Sequence, residues 1–168
     1  MIHKNKVHIL CVEDEAEVLE AILRDLAQLE DYFPIECAKT ANEAKEVIQV
    51  LLQKRQHIGL ILCDHIMPGQ NGVDFLIEIH EQDSLRESRK VLLTGQAGQE
   101  ATIEAVNQAE LNHYIAKPWQ KENLVQVAKS QLSEYIIDNH INPTPYMAML
   151  DQALISEAVR KGNLLSDN

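Results

Sequence analysis

Five polar side chains stand where short apolar stretches of the sequence end. They are Glu13 and Asp14 after residues 7–12, Asp64 after residues 58–63, Thr94 after residues 91–93, and Lys117 after residues 111–116. Three carboxylates that lie close together repel one another, so such a group is costly unless a cation neutralises it. Because the candidate ligands are hard oxygen atoms, with no histidine or cysteine among them, they suit Mg²⁺. Brought together, the five side chains would form a magnesium site with a lysine beside it.

The same set suits one reaction, the transfer of a phosphoryl group to a carboxylate. In phosphoryl transfer the charge spreads over the equatorial oxygens of the group in transit, and a metal ion and a lysine both stabilise that charge. A carboxylate can act as the nucleophile and form an aspartyl phosphate. The residue types therefore predict a carboxylate that accepts a phosphoryl group beside a metal ion and an ammonium.

The elements that must bring these residues together alternate along the chain. Apolar runs predict strands at residues 7–12, 34–38, 58–63, 91–93 and 111–116. Apolar residues at three- and four-residue steps predict helices at residues 18–29, 40–52, 73–82, 101–109 and 122–137, the second capped by Thr40 with Glu43 three residues later. Five alternating units predict an α/β fold with a parallel sheet and helices on both faces. Ligand sites in such sheets lie outside the carboxyl ends of the strands, so we expect the polar side chains to converge there.

A composition break follows the fifth unit. Residues 139–145 combine asparagine and proline, which predicts a linker or turn. Thr144 as N-cap and Pro145 at the first helical position predict a further short helix that ends near Gly162. We therefore divide the chain into a domain at residues 1–137 and a linker with a helical extension at residues 138–168. The extension is expected to pack on the domain, to pair with another copy, or to begin a longer linker.

Composition narrows the classes of partner. The chain has 168 residues, 45% hydrophobic and 24% charged, which suits one compact soluble domain with an appendage. The formal net charge of −11 argues against a nucleic-acid partner, because phosphate backbones are bound by clustered lysine and arginine. No apolar run approaches the roughly 20 residues that span a bilayer, so we expect a cytoplasmic protein without a membrane partner. The three cysteines have no metal-ligand spacing and are odd in number, which argues against a disulfide framework.

Over residues 5–137 the sequence resembles the receiver domain of bacterial two-component response regulators. The family's acidic pair matches Glu13 and Asp14, and its phosphoacceptor segment matches residues 64–72, with proline four and glycine eight positions after the aspartate. The switch hydroxyl matches Thr94, and the lysine–proline pair matches residues 117–118. The resemblance implies a flavodoxin-like five-stranded sheet with strand order 2-1-3-4-5.

The resemblance also implies roles for the acidic residues. Asp64 would be the phosphoacceptor. Asp14 and Asp64 would bind Mg²⁺ through their carboxylates, with the backbone carbonyl of Ile66 as a third ligand. Glu13 would act through a metal-bound water, because its side chain is longer than the aspartate that many members of the family have at this position.

A second set of implied roles concerns how the signal leaves the site. Lys117 would pair with Asp64 before transfer and with a phosphoryl oxygen afterwards, held inward by a cis peptide bond to Pro118. Thr94 and Tyr114 resemble the family's switch pair, in which the hydroxyl moves toward the phosphoryl group and the aromatic ring turns inward. The surface changed by these movements would consist of the helix at 101–109, the strand at 111–116 and the helix at 122–137.

The partners implied by the resemblance are a sensor histidine kinase or phosphotransfer protein upstream and an output domain or protein downstream. Residues 93–97 and 114–119 resemble receivers at the N-terminus of larger signalling proteins, including histidine kinases and nucleotide cyclases. A homodimer, formed through the switch surface or the extension, is a further expectation. We do not expect an enzyme, because a receiver catalyses only its own phosphoryl transfer and dephosphorylation.

Alternative interpretations apply to the function and to two neighbours of the site. A receiver-fold binding module that acts independently of phosphorylation is disfavoured because all five chemical positions are intact. An aspartate-nucleophile phosphatase needs a second acid two positions after the nucleophile, where Ile66 stands. His65 directly follows the phosphoacceptor; of two interpretations, a residue that tunes the lifetime of the phosphoryl group and an exposed loop histidine, we favour the second. Trp119 is interpreted either as a docking residue or as packing over the lysine–proline turn.

Overall fold

Five parallel strands form the central sheet of the computed structural model, which describes residues 5–95, 103 and 106–164. The strands are β1 (Val7–Val12), β2 (Ile35–Ala38), β3 (His57–Cys63), β4 (Arg89–Thr94) and β5 (His113–Ala116). Their order in the sheet is β2-β1-β3-β4-β5, and every neighbouring pair is parallel. The predicted fold class and strand order are confirmed.

The helices lie on both faces of this sheet. They are α1 (Ala16–Asp25), α2 (Ala27–Glu30), α3 (Ala41–Gln53), α4 (Gly72–His80), α5 (Lys121–Asp138) and α6 (Gln152–Arg160), with a 3₁₀ helix at Thr144–Met149. The Thr40 cap is present, since its hydroxyl oxygen accepts from the Glu43 amide at 3.1 Å. Of the helix predicted at 101–109, residues 101, 102, 104 and 105 lie outside the described residues; residues 103 and 106–108 are helical.

Alternate residues of the buried strands supply two separate hydrophobic cores. On one face, Ile9 and Leu60 pack with apolar residues of α1, α2 and α5. On the other face, Leu10 and Ile61 pack with apolar residues of α3 and α4. Burial on both faces explains why β1 and β3 are almost wholly apolar in sequence, as parallel strands covered by helices are.

Two predicted helices differ from the structure. The helix predicted at 18–29 is interrupted at Leu26, which leaves the helical conformation with φ −94° and ψ 6°. The single helix predicted from Thr144 to near Gly162 is wrong, because it is broken in two. Leu150 is extended (ψ 159°) and buried, and Asp151 then caps α6 by accepting from the amides of Ala153 and Leu154. Burial of Leu150 and a new N-cap therefore end one helix and start the next.

The C-terminal extension packs against the body of the domain. Tyr146 stacks on Phe33 with 4.8 Å between ring centroids, and Ile155 is buried in the core shared with α1 and α5. Asp151 Oδ2 accepts from Ser130 Oγ at 2.9 Å and from Gln126 Nε2 at 3.1 Å, both on α5. Of the three roles considered for the extension, packing on the domain is the one that the structure shows. Within the described part of the chain, none of the helices combines the length and the apolar character that crossing a membrane requires.

Candidate functional site

Three carboxylates meet at the carboxyl ends of β1 and β3. Glu13 and Asp14 directly follow β1, and Asp64 directly follows β3, its neighbour in the sheet. One oxygen from each of the three lies within 4.8 Å of the others. Glu13 is 1% exposed and Asp64 is 5% exposed, so two of the three charges lie in a poorly solvated place. Backbone bonds fix both positions, from the Glu13 amide to Ala38 O and from the Asp64 amide to Val12 O.

Lys117 reaches this acidic group from the end of β5. Its Nζ lies 3.2 Å from Asp64 Oδ2 and 3.2 Å from each carboxylate oxygen of Glu13. The Lys117 amide donates to Thr94 O at 2.9 Å, and the Lys117–Pro118 peptide bond is cis. The ammonium therefore occupies the position where it can balance two buried carboxylates.

The charges of the site perturb one another. Burial, reinforced by the nearby Asp64 carboxylate, raises the pKa of Glu13 to about 7 against the opposing effect of Lys117. Burial alone would lower the pKa of Lys117, but the carboxylates of Asp64 and Glu13 outweigh it and raise that pKa above its ordinary value. A site with this excess of acid attracts further positive charge.

Thr94 and Tyr114, the predicted switch pair, lie in different surroundings. Thr94 ends β4 and is buried, and its Oγ1 has no hydrogen-bond partner among the described residues. Tyr114 lies on β5 opposite Leu92 and is 39% exposed. The structure thus places the hydroxyl at the strand ends that carry the charges and leaves the aromatic ring at the surface.

The loop from Asp64 to α4 is held by a close backbone approach. A Cβ atom added to Gly72 would lie 1.8 Å from the carbonyl oxygen of Asp64, a distance that no side chain tolerates. The Gly72 amide donates to His65 O at 2.7 Å. Glycine at this position is therefore a requirement of the loop that presents Asp64. Ile66 lies in the same loop with its side chain 62% exposed.

Two neighbours of the site make contacts that the sequence interpretation did not include. His65 is half-buried, and its Nδ1 accepts from the Val73 amide at 3.4 Å, so it is not an exposed loop histidine. Trp119 is half-buried, packs against the core and donates from Nε1 to Asp25 Oδ2 at 2.9 Å. No spacing in the sequence indicates either contact, because each partner belongs to a different element.

The donor set fits a hard divalent cation. All three candidate ligands are carboxylates, and Asp14 Oδ1 is buried without a hydrogen-bond partner in the part of the chain that the structure describes. Buried polar atoms are normally satisfied, so this orphaned oxygen points to a ligand that the protein itself does not supply. Asp14 and Asp64 are the residues that would hold Mg²⁺, with Glu13 beside them and already in contact with Lys117.

Comparison with known proteins agrees with this geometry. A family model for the response regulator receiver domain matches residues 9–129. The chain is 32% identical over 121 residues to the hydrogenase transcriptional regulatory protein HoxA of Cupriavidus necator, which covers 72% of this chain and 23% of that protein. It is 29% identical over 123 residues to the chemotaxis protein CheY-3 of Vibrio cholerae, covering 71% of this chain and 85% of that protein.

A solved structure supports the same assignment. The CheY-like response regulator receiver domain protein of Methanospirillum hungatei JF-1 superimposes with a TM-score of 0.68 at 25% identity, over 80% of this chain and 99% of that one. The chain spans about a quarter of the length of the hydrogenase regulators that it matches. On the family match over residues 9–129 and the strand order, the chain belongs to the response regulator receiver domain family.

Proposed function

We propose that this chain is a phosphoryl-accepting receiver of a two-component system, in which Asp64 takes the phosphoryl group in a Mg²⁺-dependent step. The observation that carries the proposal is the meeting of Asp64, Asp14, Glu13 and Lys117 at the carboxyl ends of β1, β3 and β5. Surface charges have no physical reason to converge in this way. A buried carboxylate beside an ammonium and an acidic pair is the arrangement that phosphoryl transfer to a carboxylate requires.

In the proposed reaction a carboxylate oxygen of Asp64 attacks the phosphorus atom of a phosphodonor. The new O–P bond forms as the bond from phosphorus to the donor atom breaks, and the leaving group departs with that bond's electron pair. A bound Mg²⁺ would supply positive charge to the phosphoryl oxygens. Lys117, now 3.2 Å from Asp64 Oδ2, would transfer its contact to a phosphoryl oxygen and stabilise the charge that develops there.

Thr94 and Tyr114 would transmit the effect of phosphorylation from the site to the protein surface. The unpartnered hydroxyl of Thr94 is free to donate to a phosphoryl oxygen, which would satisfy a buried polar atom. The exposed ring of Tyr114 lies on the edge strand β5, and the exposed apolar side chains of Ile103 and Val106 belong to the preceding segment. Phosphorylation would alter this surface, which would contact an output protein or domain.

The proposed partners follow from this chemistry. A sensor histidine kinase or phosphotransfer protein would supply the phosphoryl group, and an output domain or separate protein would read the switch surface. The chain would act as a catalyst only of its own phosphorylation and dephosphorylation. If the switch surface also forms a homodimer, sedimentation velocity will give a larger mass with a phosphoryl mimic than without it; an unchanged mass would contradict that part of the proposal.

Metal dependence gives the most direct test of the site's chemistry. The chain is incubated with acetyl phosphate over a range of Mg²⁺ concentrations, and phosphorylation is measured by intact-mass spectrometry. We expect labelling that is abolished by a chelator and that needs more Mg²⁺ in Asp14→Asn than in the wild-type chain. Asp31→Asn, an exposed aspartate away from the site, is the matched control and should behave as wild type. Labelling that persists in the chelator would contradict the proposal.

A further inference from the structure

The first three amides of α4 have an unusual set of acceptors. The Gly72 amide donates to His65 O at 2.7 Å, the Val73 amide to His65 Nδ1 at 3.4 Å, and the Asp74 amide to Asn71 Oδ1 at 2.8 Å. Amides at the start of a helix have no partner within the helix and must find one elsewhere. Asn71 is the ordinary N-cap: its side chain accepts from the Asp74 amide, and its carbonyl oxygen accepts the first bond within the helix, from the Phe75 amide at 3.0 Å. His65, six positions earlier, supplies the acceptors for the other two amides.

His65 is connected to the phosphoacceptor as well. Its own amide donates to Asp64 Oδ1 at 2.7 Å, a short bond to a carboxylate. The other carboxylate oxygen, Oδ2, faces Lys117. The amide, the carbonyl and the imidazole of His65 are thus all engaged, the first with Asp64 and the other two with the start of α4. Because Nδ1 accepts the bond from Val73, the neutral ring carries its proton on Nε2.

We propose that His65 is a positioning residue, whose imidazole fixes the Asp64 carboxylate by fastening the phosphoacceptor loop to the N-terminus of α4. This inference rests on the proposed phosphorylation of Asp64. The Gly72–His65 backbone bond does not depend on the side chain at position 65. The Val73–His65 bond does, and its loss leaves the His65 peptide unit held at one point of α4 instead of two. The His65 amide, which donates to Asp64 Oδ1, can then adopt a wider range of orientations.

The geometry also distinguishes His65 from a residue that only fills space. A structural role would be served by any side chain of similar bulk, such as leucine. A positioning role requires an acceptor at the place of Nδ1, which Asn provides through Oδ1 attached to the same carbon. Gln carries the same amide one carbon further out and serves as the matched control for Asn.

The first test measures hydrogen exchange at the Val73 amide by NMR in the wild-type chain, His65→Leu, His65→Asn and His65→Gln. At 3.4 Å the Val73–His65 bond is longer than an ordinary neutral hydrogen bond, so its loss should lower the protection in His65→Leu by about two- to threefold, the weak end of the usual range. His65→Asn should restore protection, and His65→Gln should not. Equal Val73 protection in the wild-type chain and His65→Leu would overturn the proposal, whatever the labelling of Asp64.

The second test measures the rate of phosphoryl uptake from acetyl phosphate in the same four proteins. We expect the rate to fall in His65→Leu and to return toward wild type in His65→Asn, while the denaturation midpoints of the two variants are compared as a check on folding. A fall in Val73 protection with no change in uptake rate would overturn the positioning role. Failure of the wild-type chain to be labelled would instead contradict the proposed function, and the Val73 exchange would still decide whether the imidazole contact exists.

Discussion

Lys117 Nζ lies 3.2 Å from Asp64 Oδ2, although the two residues end β5 and β3, which are separated in the sheet by β4. The contact spans the end of β4, where the Lys117 amide donates to Thr94 O. The position of the Lys117 ammonium therefore depends on the arrangement of the whole sheet and not on the local sequence around Lys117. The geometry explains why the site depends on residues from four separate strand ends.

Replacement of Lys117 should therefore impair phosphoryl uptake more than folding. Lys117→Ala is expected to slow labelling by acetyl phosphate about 100-fold or more, the usual loss when one preorganised donor to a developing charge is removed. Lys121→Ala, an exposed lysine at the start of α5, is the matched control. A time course of intact mass measures both rates. An uptake rate in Lys117→Ala equal to that of the control would contradict the role of the ammonium.

Gly72 should tolerate no side chain, because its Cβ would meet backbone and not a movable side chain. We expect Gly72→Ala to lower the free energy of unfolding by about 3 kcal/mol or more, the upper end of the range for overpacking. Phosphoryl uptake should fall as well, because the loop that presents Asp64 must shift. Gly95→Ala provides the control, since a Cβ there meets nothing within 4 Å. Urea unfolding gives the measurement; equal stability of the two variants would contradict the close approach.

Lys90 should make the free energy of unfolding depend on pH in the alkaline range. The side chain is 1% exposed, and its ammonium donates to the carbonyl oxygens of Leu85, Arg86 and Ser88. Burial lowers the pKa of Lys90 to about 8 in the folded chain, from an ordinary value of 10.5. Between these two pH values the unfolded chain binds more protons than the folded chain, so the free energy of unfolding rises with pH across that window. Below the window the buried ammonium lowers the free energy of unfolding by a constant amount.

The prediction for Lys90 concerns the difference in free energy of unfolding between the wild-type chain and a variant, because the contributions of other titrating groups cancel in that difference. Relative to Lys90→Met, the wild-type chain should gain up to about 3 kcal/mol in free energy of unfolding as pH rises from 8 to 10.5. Urea unfolding at several pH values measures this gain. Lys54→Met, an exposed lysine after α3, should show no such pH-dependent difference. A difference between the wild-type chain and Lys90→Met that is flat with pH would refute the prediction.

Asp151 should be the residue that fastens the extension to α5. Asp151→Ala removes the N-cap of α6 and the bonds to Ser130 and Gln126, and we expect a loss of about 1–3 kcal/mol in the free energy of unfolding. Asp151→Asn keeps a capping oxygen and should lose less. Urea unfolding of the two variants separates the cap from the charged contacts. If Asp151→Ala is as stable as wild type, the extension is not held in this way.

Much of the fold is predictable from local patterns in this sequence. The buried strands β1 and β3 read as almost wholly apolar runs, and the cap of α3 is encoded within four residues by Thr40 and Glu43. The break at Leu26 was not predictable, because the apolar spacing continues through it without glycine or proline. The break before Asp151 depends on the burial of Leu150 against other elements. Leu26 and Leu150 are both buried in the core, a condition that the local sequence pattern does not show.

The candidate site was likewise predictable from the sequence only in part. The sequence placed the charged residues at strand ends, and the rules of parallel sheets then predicted that these ends meet. The contact of Lys117 with Glu13 and the cap that His65 gives to α4 needed three-dimensional geometry, because each joins elements that are distant in sequence or oriented by packing. Lys90 is a further example, since no pattern indicates that a lysine at the start of a strand is buried on three carbonyl oxygens.

Phosphorylation of Asp64 is the central claim, and intact-mass spectrometry after incubation with acetyl phosphate and Mg²⁺ tests it most directly. The wild-type chain and Asp83→Asn, an exposed aspartate outside the site, should each gain one phosphoryl group. Asp64→Asn, which keeps the size of the side chain but removes the nucleophilic carboxylate, should gain none. Equal labelling of Asp64→Asn and the wild-type chain, or no labelling of the wild-type chain with Mg²⁺ present, would contradict the account.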